Sequence, residues 1–241
     1  GYEAYIVGGC VRDSLLGKQP NDWDITTSAK PEEVKAIFHR TIDTGIQHGT
    51  VTVLVDREIL DDGSGSLASH TDYAFEVTTY RVDGVYTDHR RPESVCFTAS
   101  LEEDLKRRDF TINAMAYNPE QGVIDIFSGQ EDLEKGIIRC VGEASERFDE
   151  DALRILRAVR FAAQLDFVIE NQTREAMRDQ AKFLKDISAE RICTELTKMI
   201  VSKHPERLEE AYELGLTNIF LPEFDRMMPV SYTHLTLPTI R

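Results

Sequence analysis

The sequence contains no apolar run approaching the ~20 residues that a membrane-spanning helix needs, and no secretory signal is recognisable, so no membrane partner is expected. Cysteine is sparse. Cys10, Cys96, Cys140 and Cys193 are scattered without a C-x-x-C, which excludes a disulfide framework and fits a reducing cytoplasm. The six histidines form no H-E-x-x-H or related pair, which argues against zinc. Positive charge is also short: 28 Lys and Arg against 43 Asp and Glu leave a net charge of −15. That balance excludes a protein that coats nucleic acid non-specifically, but not a local basic groove. Tryptophan occurs once, at Trp23.

What is present is ordinary for a globular protein: 241 residues, 41% hydrophobic and 29% charged. The first part reads as mixed α/β. Residues 3–7 form a strand, 10–16 a helix stopped at Gly17, 23–27 a strand, and 31–38 a helix with Pro31 in its first turn. Residues 50–55 ("TVTVLV") and 73–81 ("YAFEVTTYR") are β-branched and aromatic strands. The polar stretch 61–72 reads as a hairpin tip and 83–94 as a mobile loop. From about residue 141 the texture turns helical, with apolar spacing over 150–163, 171–183, 189–201 and 205–214 and no strand signal. The expected class is thus α+β: a mixed-sheet domain over 1–140 and an all-helical domain over 141–228. Residues 229–241 read as translated vector sequence, a non-native or disordered tail.

Three constellations carry chemistry. In "VGGCVRDSLLGKQPNDWDI", Asp22 and Asp24 stand two apart on a predicted strand, so both face one way, while Trp23 and Ile25 turn to the core. Such a pair suits Mg²⁺ with phosphate oxygens, although an Asx-rich turn after Pro20 uses the same residues. Gly8 and Gly9 let backbone approach a ligand at a helix start, and Arg12 adds a cation one turn in. Glu76, at the centre of a predicted strand, is the choice for a third carboxylate; the alternative is a glutamate facing water.

In "FDEDALRILRAVRFAAQLDF", Arg154, Arg157 and Arg160 recur every third residue, with Asp151 one turn before. Asp151 only accepts hydrogen bonds and Arg154 only donates, a pattern matching the edges of cytosine and adenine rather than uracil and guanine. A surface ion pair is the simpler reading of the same spacing. Arg157 and Arg160 are placed to neutralise triphosphate or primer backbone. In "RRDFTINAMAYN", Arg108 can meet phosphate, and Asp109 either ribose hydroxyls or a helix start.

Together with "HGTVTV", "FEVTTYR", "DIFSGQEDLEKGIIR" and "AERICTELTKM", these motifs make the sequence resemble the bacterial class II CCA-adding enzymes of the tRNA nucleotidyltransferase and poly(A) polymerase family. The resemblance implies a polymerase-β-like nucleotidyltransferase head followed by a helical neck, without the later body and tail domains. It implies Asp22 and Asp24 as Mg²⁺ ligands, with Gly9, Arg12 and Arg108 contacting triphosphate or ribose. Asp151 and Arg154 then read the base, and Arg157 and Arg160 complete the pocket. The implied activity is addition of C, C and A to the 3′ end of tRNA from CTP and ATP. Poly(A), A-only or CC-only addition share this pocket, and a nucleotide-binding fragment without turnover is a further reading. "DWDIT" also matches the D-x-D-x-T of haloacid-dehalogenase-type phosphatases, but "LGKQPN" before it is not the buried strand that fold requires.

Overall fold

The computed structural model describes residues 1–56, 73–84 and 95–228. The hairpin tip, most of the 83–94 loop and the 229–241 tail lie outside the described residues. The first half builds a seven-stranded mixed sheet. Its strands are β1 (Ala4–Val7), β2 (Asp24–Thr27), β3 (Thr41–Gly45), β4 (Thr50–Val55), β5 (Tyr73–Thr79), β8 (Met115–Asn118) and β9 (Gly122–Asp125), in the order β3-β4-β5-β2-β1-β8-β9. Neighbours are antiparallel except β2 and β5, which run parallel with Asp24 beside Glu76.

Helix α1 (Gly9–Leu15) follows β1, and α2 (Pro31–Ile37) covers one face, where Val34 packs with Val51, Val53 and Val77. On the other face Tyr5, Val7 and Ala116 meet Tyr80 and Leu105, the latter from α3 (Leu101–Lys106). The strand expected over 73–81 stops at Thr79. Beyond it, β6 (Arg81–Asp83) pairs with β7 (Val95–Phe97) in a separate two-stranded sheet.

Helix α4 (Gly129–Lys135) leads into β10 (Ile137–Ile138), and α5 (Ala144–Glu150), α6 (Leu153–Leu165), α7 (Asn171–Gln180) and α8 (Ala189–Ile200) form the helical half. The helix expected over 150–163 is two helices. Asp151 is extended at φ −143 and accepts the Leu153 N–H on its own side chain, which ends one helix and starts the next. A strand also appears where none was expected: β11 (Val168–Ile169) pairs in parallel with β10. Two residues are too few to show a period in sequence. One apolar cluster runs unbroken from Cys10, Val11, Phe110 and Met115 into α5, α6 and α7.

Candidate nucleotidyl-transfer site

The turn after β1 sets the site. Gly8 takes φ +82, a conformation that L side chains rarely adopt, and a Cβ there would lie 3.1 Å from Arg108 Nη1. Its N–H donates to the Met115 carbonyl, and α1 begins at once. Strand β2 starts only at Asp24, so Asp22 belongs to the preceding loop rather than to the strand. Both carboxylates nonetheless line one cleft of about 480 Å³, together with Gly9, Arg12, Lys18 and Arg160. Burial pushes the Asp24 carboxyl above its ordinary range; Arg108 opposes this and the neighbouring Asp22 reinforces it. Trp23 does not enter the core. It is 39% exposed and borders an apolar groove with Ile6, Val11 and Leu15.

Glu76 sits beside Asp24 in the sheet, with its side chain exposed. Among the described residues no three His, Cys, Asp or Glu side chains gather into a metal-binding group. Any metal here would therefore draw part of its coordination from elsewhere.

Three consecutive residues join this cleft to the arginine helix. The Arg107 carbonyl accepts from Arg154 Nη2 at 3.0 Å, Arg108 lies against Gly8, and Asp109 Oδ2 receives Arg157 Nε at 2.8 Å and Nη2 at 2.5 Å. Asp109 Oδ1 accepts from the Phe110 N–H and from Asn113 Nδ2. Burial alone would raise the Asp109 pKa, but Arg157 and Arg154, with these bonds, hold it down at about 2. Asn113 Oδ1 also takes Arg12 Nη1 at 2.7 Å, so one amide aligns both halves.

Around α6, Arg12, Arg157 and Arg160 all approach the ring of the buried Phe161. Arg160 further pairs with buried Glu195 at 2.5 Å. Asp151 bonds Arg191 at 2.8 Å, and Arg154 bonds Glu150 and the Arg147 carbonyl as well as Arg107. Of the expected site residues, Gly9, Arg12, Asp22, Asp24 and Arg160 line the cleft, while Arg108, Asp109, Asp151, Arg154 and Arg157 lie outside its lining, Asp109 and Arg157 joined by their ion pair and Arg154 bonded to the Arg107 carbonyl.

Residues 4–139 match the family described as Poly A polymerase head domain, and residues 166–228 match one described as a probable RNA and SrmB-binding site of polymerase A. The chain belongs to the poly A polymerase head-domain family. Its sequence relatives include bacterial CCA-adding enzymes. That of Lactiplantibacillus plantarum is 52% identical over 229 residues, which cover 95% of this chain and 51% of the relative. That of Leuconostoc mesenteroides is 52% identical over 223 residues, 92% of this chain and 52% of the relative.

The chain spans about half the length of the curated relatives it matches. The Bacillus stearothermophilus CCA-adding enzyme, solved in complex with CTP, superposes with a TM-score of 0.77 at 46% identity, over 90% of this chain and 49% of that one. The Thermotoga maritima CCA-adding enzyme complexed with tRNA gives 0.70 at 27% identity, over 92% and 49%. Asp151, Arg154, Arg157 and Arg160 fall between the two matched family stretches.

Several residues of the site carry no motif. Asp104 is fully buried and holds Arg107, Arg108 and the Thr26 hydroxyl. Its i, i+3 and i, i+4 spacing to the two arginines is the one local signal for it. Asn113 and Phe161 both also meet Arg12, far away in sequence, and spacing does not reveal that contact.

Proposed function

We propose that this chain is the nucleotide-adding portion of a CCA-adding enzyme, extending the 3′ end of tRNA with C, C and A from CTP and ATP without a nucleic-acid template. The observation that carries this reading is that Asp22 and Asp24 share one cleft wall with Gly9, Arg12 and Arg160. Adjacent carboxylates repel, and Mg²⁺ characteristically takes one or two of them and completes its shell with water and phosphate oxygens, so Asp22 and Asp24 fit that ion. Bound there, Mg²⁺ would supply Lewis-acid polarisation of the phosphoryl group and ease deprotonation of the attacking hydroxyl.

The side chains supply the rest. Arg12 and Arg160 line the cleft as candidates for triphosphate oxygens, and Gly9 leaves its part of the wall without a side chain. Arg108 adds positive charge beside Asp24. Asp151 and Arg154 are the candidate readers of the C and A edges, since one accepts and the other donates. Asp109, with both oxygens engaged, suits holding Arg157 better than receiving ribose. Glu76, in register with Asp24, is the candidate third carboxylate. The four free cysteines fit a cytoplasmic setting.

Extension assays with labelled CTP or ATP, Mg²⁺ and tRNAs ending before each of the three positions test this. Addition of C at the first two and A at the third is the expected result. A added at every position points to poly(A) addition, arrest before or restriction to the last step to CC-only or A-only addition, and CTP binding without extension to a module lacking turnover.

A further inference from the structure

The cleft bearing Asp22 and Asp24 continues past them. Lys18, Gln164 and Leu165 line it and also line an adjoining concavity of about 620 Å³, formed with Ser202, Lys203 and His204. The two carboxylates border only the first of these spaces. Three lysines lie along the pair: Lys18 after α1, Lys198 in α8 and Lys203 just beyond it. All three are exposed, and none of their ammonium groups has a partner among the described residues.

Every other strong charge on these walls, apart from the two carboxylates, is already matched. Arg12 pairs with Asp13, Arg160 with Glu195, and Asp166 with Arg207. A chain with a net charge of −15 has thus brought three unmatched cations, Lys18 from near the start and Lys198 and Lys203 from around the end of α8, onto one continuous concave path that opens on the carboxylates. The residue types divide the work. Planar arginine forks suit compact phosphate groups bidentately, whereas lysine is a mobile point charge that follows a flexible polyanion. A triphosphate at the carboxylates leaves the second space to a different anion.

We infer that Lys18, Lys198 and Lys203 form a rail for the phosphodiester backbone of the single-stranded 3′ end of the acceptor RNA, an inference that rests on the nucleotidyl transfer proposed above. The arginines are left to the triphosphate.

The test uses the whole chain and Lys198→Gln/Lys203→Gln. Binding of a 5′-labelled single-stranded RNA is followed by anisotropy between 50 and 200 mM KCl, and CTP binding is measured separately. Each lost phosphate contact lowers the slope of log K against log salt by about 0.7, so the double variant should lose about 1.4 in slope. Its RNA affinity should fall at least fivefold at the lowest salt, with CTP affinity within twofold of the unaltered chain. An unchanged slope, an equal fall in CTP affinity, or no measurable RNA binding by the unaltered chain overturns the rail. Extension that persists while the slope does not change removes the rail alone; a changed slope without any extension removes the transfer reading alone.

Discussion

The Arg160 guanidinium lies 3.9 Å from the centre of the Phe161 ring, which also meets Arg12 at 5.1 Å and Arg157 at 5.4 Å. Three like charges gathered around one buried ring repel one another, and the ring's negative faces offset part of that repulsion. Phe110 meets the same ring edge-on at 5.8 Å and fixes its tilt. Phe161→Leu keeps most of the apolar volume and removes the π faces. We expect a loss of about 1–2 kcal/mol in stability and a several-fold weaker CTP affinity, since Arg12 and Arg160 line the cleft. A denaturant midpoint and a CTP titration check this, and no change in either contradicts it.

Asp109 provides a pH signature. Its pKa is about 2 in the folded chain against an ordinary 3.8, so between these values the unfolded chain binds the extra proton. Its contribution is complete above pH ~4 and is lost as pH falls toward 2, amounting to about 2 kcal/mol. Urea midpoints measured from pH 5 to pH 2 should show this fall. In Asp109→Asn the slope should flatten, and the whole curve should lie lower because Arg157 loses its partner. An undiminished slope in that variant argues against the assignment.

The carboxylate pair makes stability and activity diverge. Asp24 has a raised pKa through burial and its neighbour Asp22, so its ionised form opposes folding. Asp24→Asn should abolish nucleotide incorporation yet unfold at the same or a higher temperature. Asp22→Asn should abolish incorporation as well, and chelation of Mg²⁺ should stop the unaltered chain. A variant retaining incorporation sinks the assignment.

Glu76 is tested by Glu76→Gln. Because the side chain is exposed, folding should be unaffected. A third carboxylate at this position predicts at least a tenfold slower extension with unchanged CTP affinity, measured in single-turnover conditions.

Asp151 and Arg154 are the proposed base readers. Arg154→Ala should raise incorporation of U and G relative to C and A by about tenfold, more than it weakens CTP binding. A C/A preference that survives intact would separate Arg154 from base reading. It would leave its bonds to Glu150 and the Arg107 carbonyl as its whole role.

Much of this was legible in the sequence where chemistry is local. The β-branched run Thr50–Val55 is the strand its composition announces, and the two-residue spacing of Asp22 and Asp24 places both on one cleft, though by a loop and a strand end rather than by alternation. Local propensity misses the break at Asp151, because its cause is the Asp151 side chain accepting the Leu153 N–H. It misses the Asn113 bonds to Arg12 and Asp109 and the Arg160–Glu195 pair for another reason: buried polar groups are satisfied by whatever the fold brings near them. Trp23 shows the converse error. Alternation along a strand expected over 23–27 turns it to the core, yet β2 begins only at Asp24 and Trp23 stays exposed.

Ten of the 13 residues of α6 are buried, and its apolar side belongs to the same cluster as Cys10 and Val11 of the opening helix. A hinge between separable modules would be wet, polar and short of contacts. Here the connecting helix is buried along most of its length. Trimming the chain after residue 140 would therefore strip a wall from the sheet half, and the smallest piece able to hold a nucleotide in place must keep that helix.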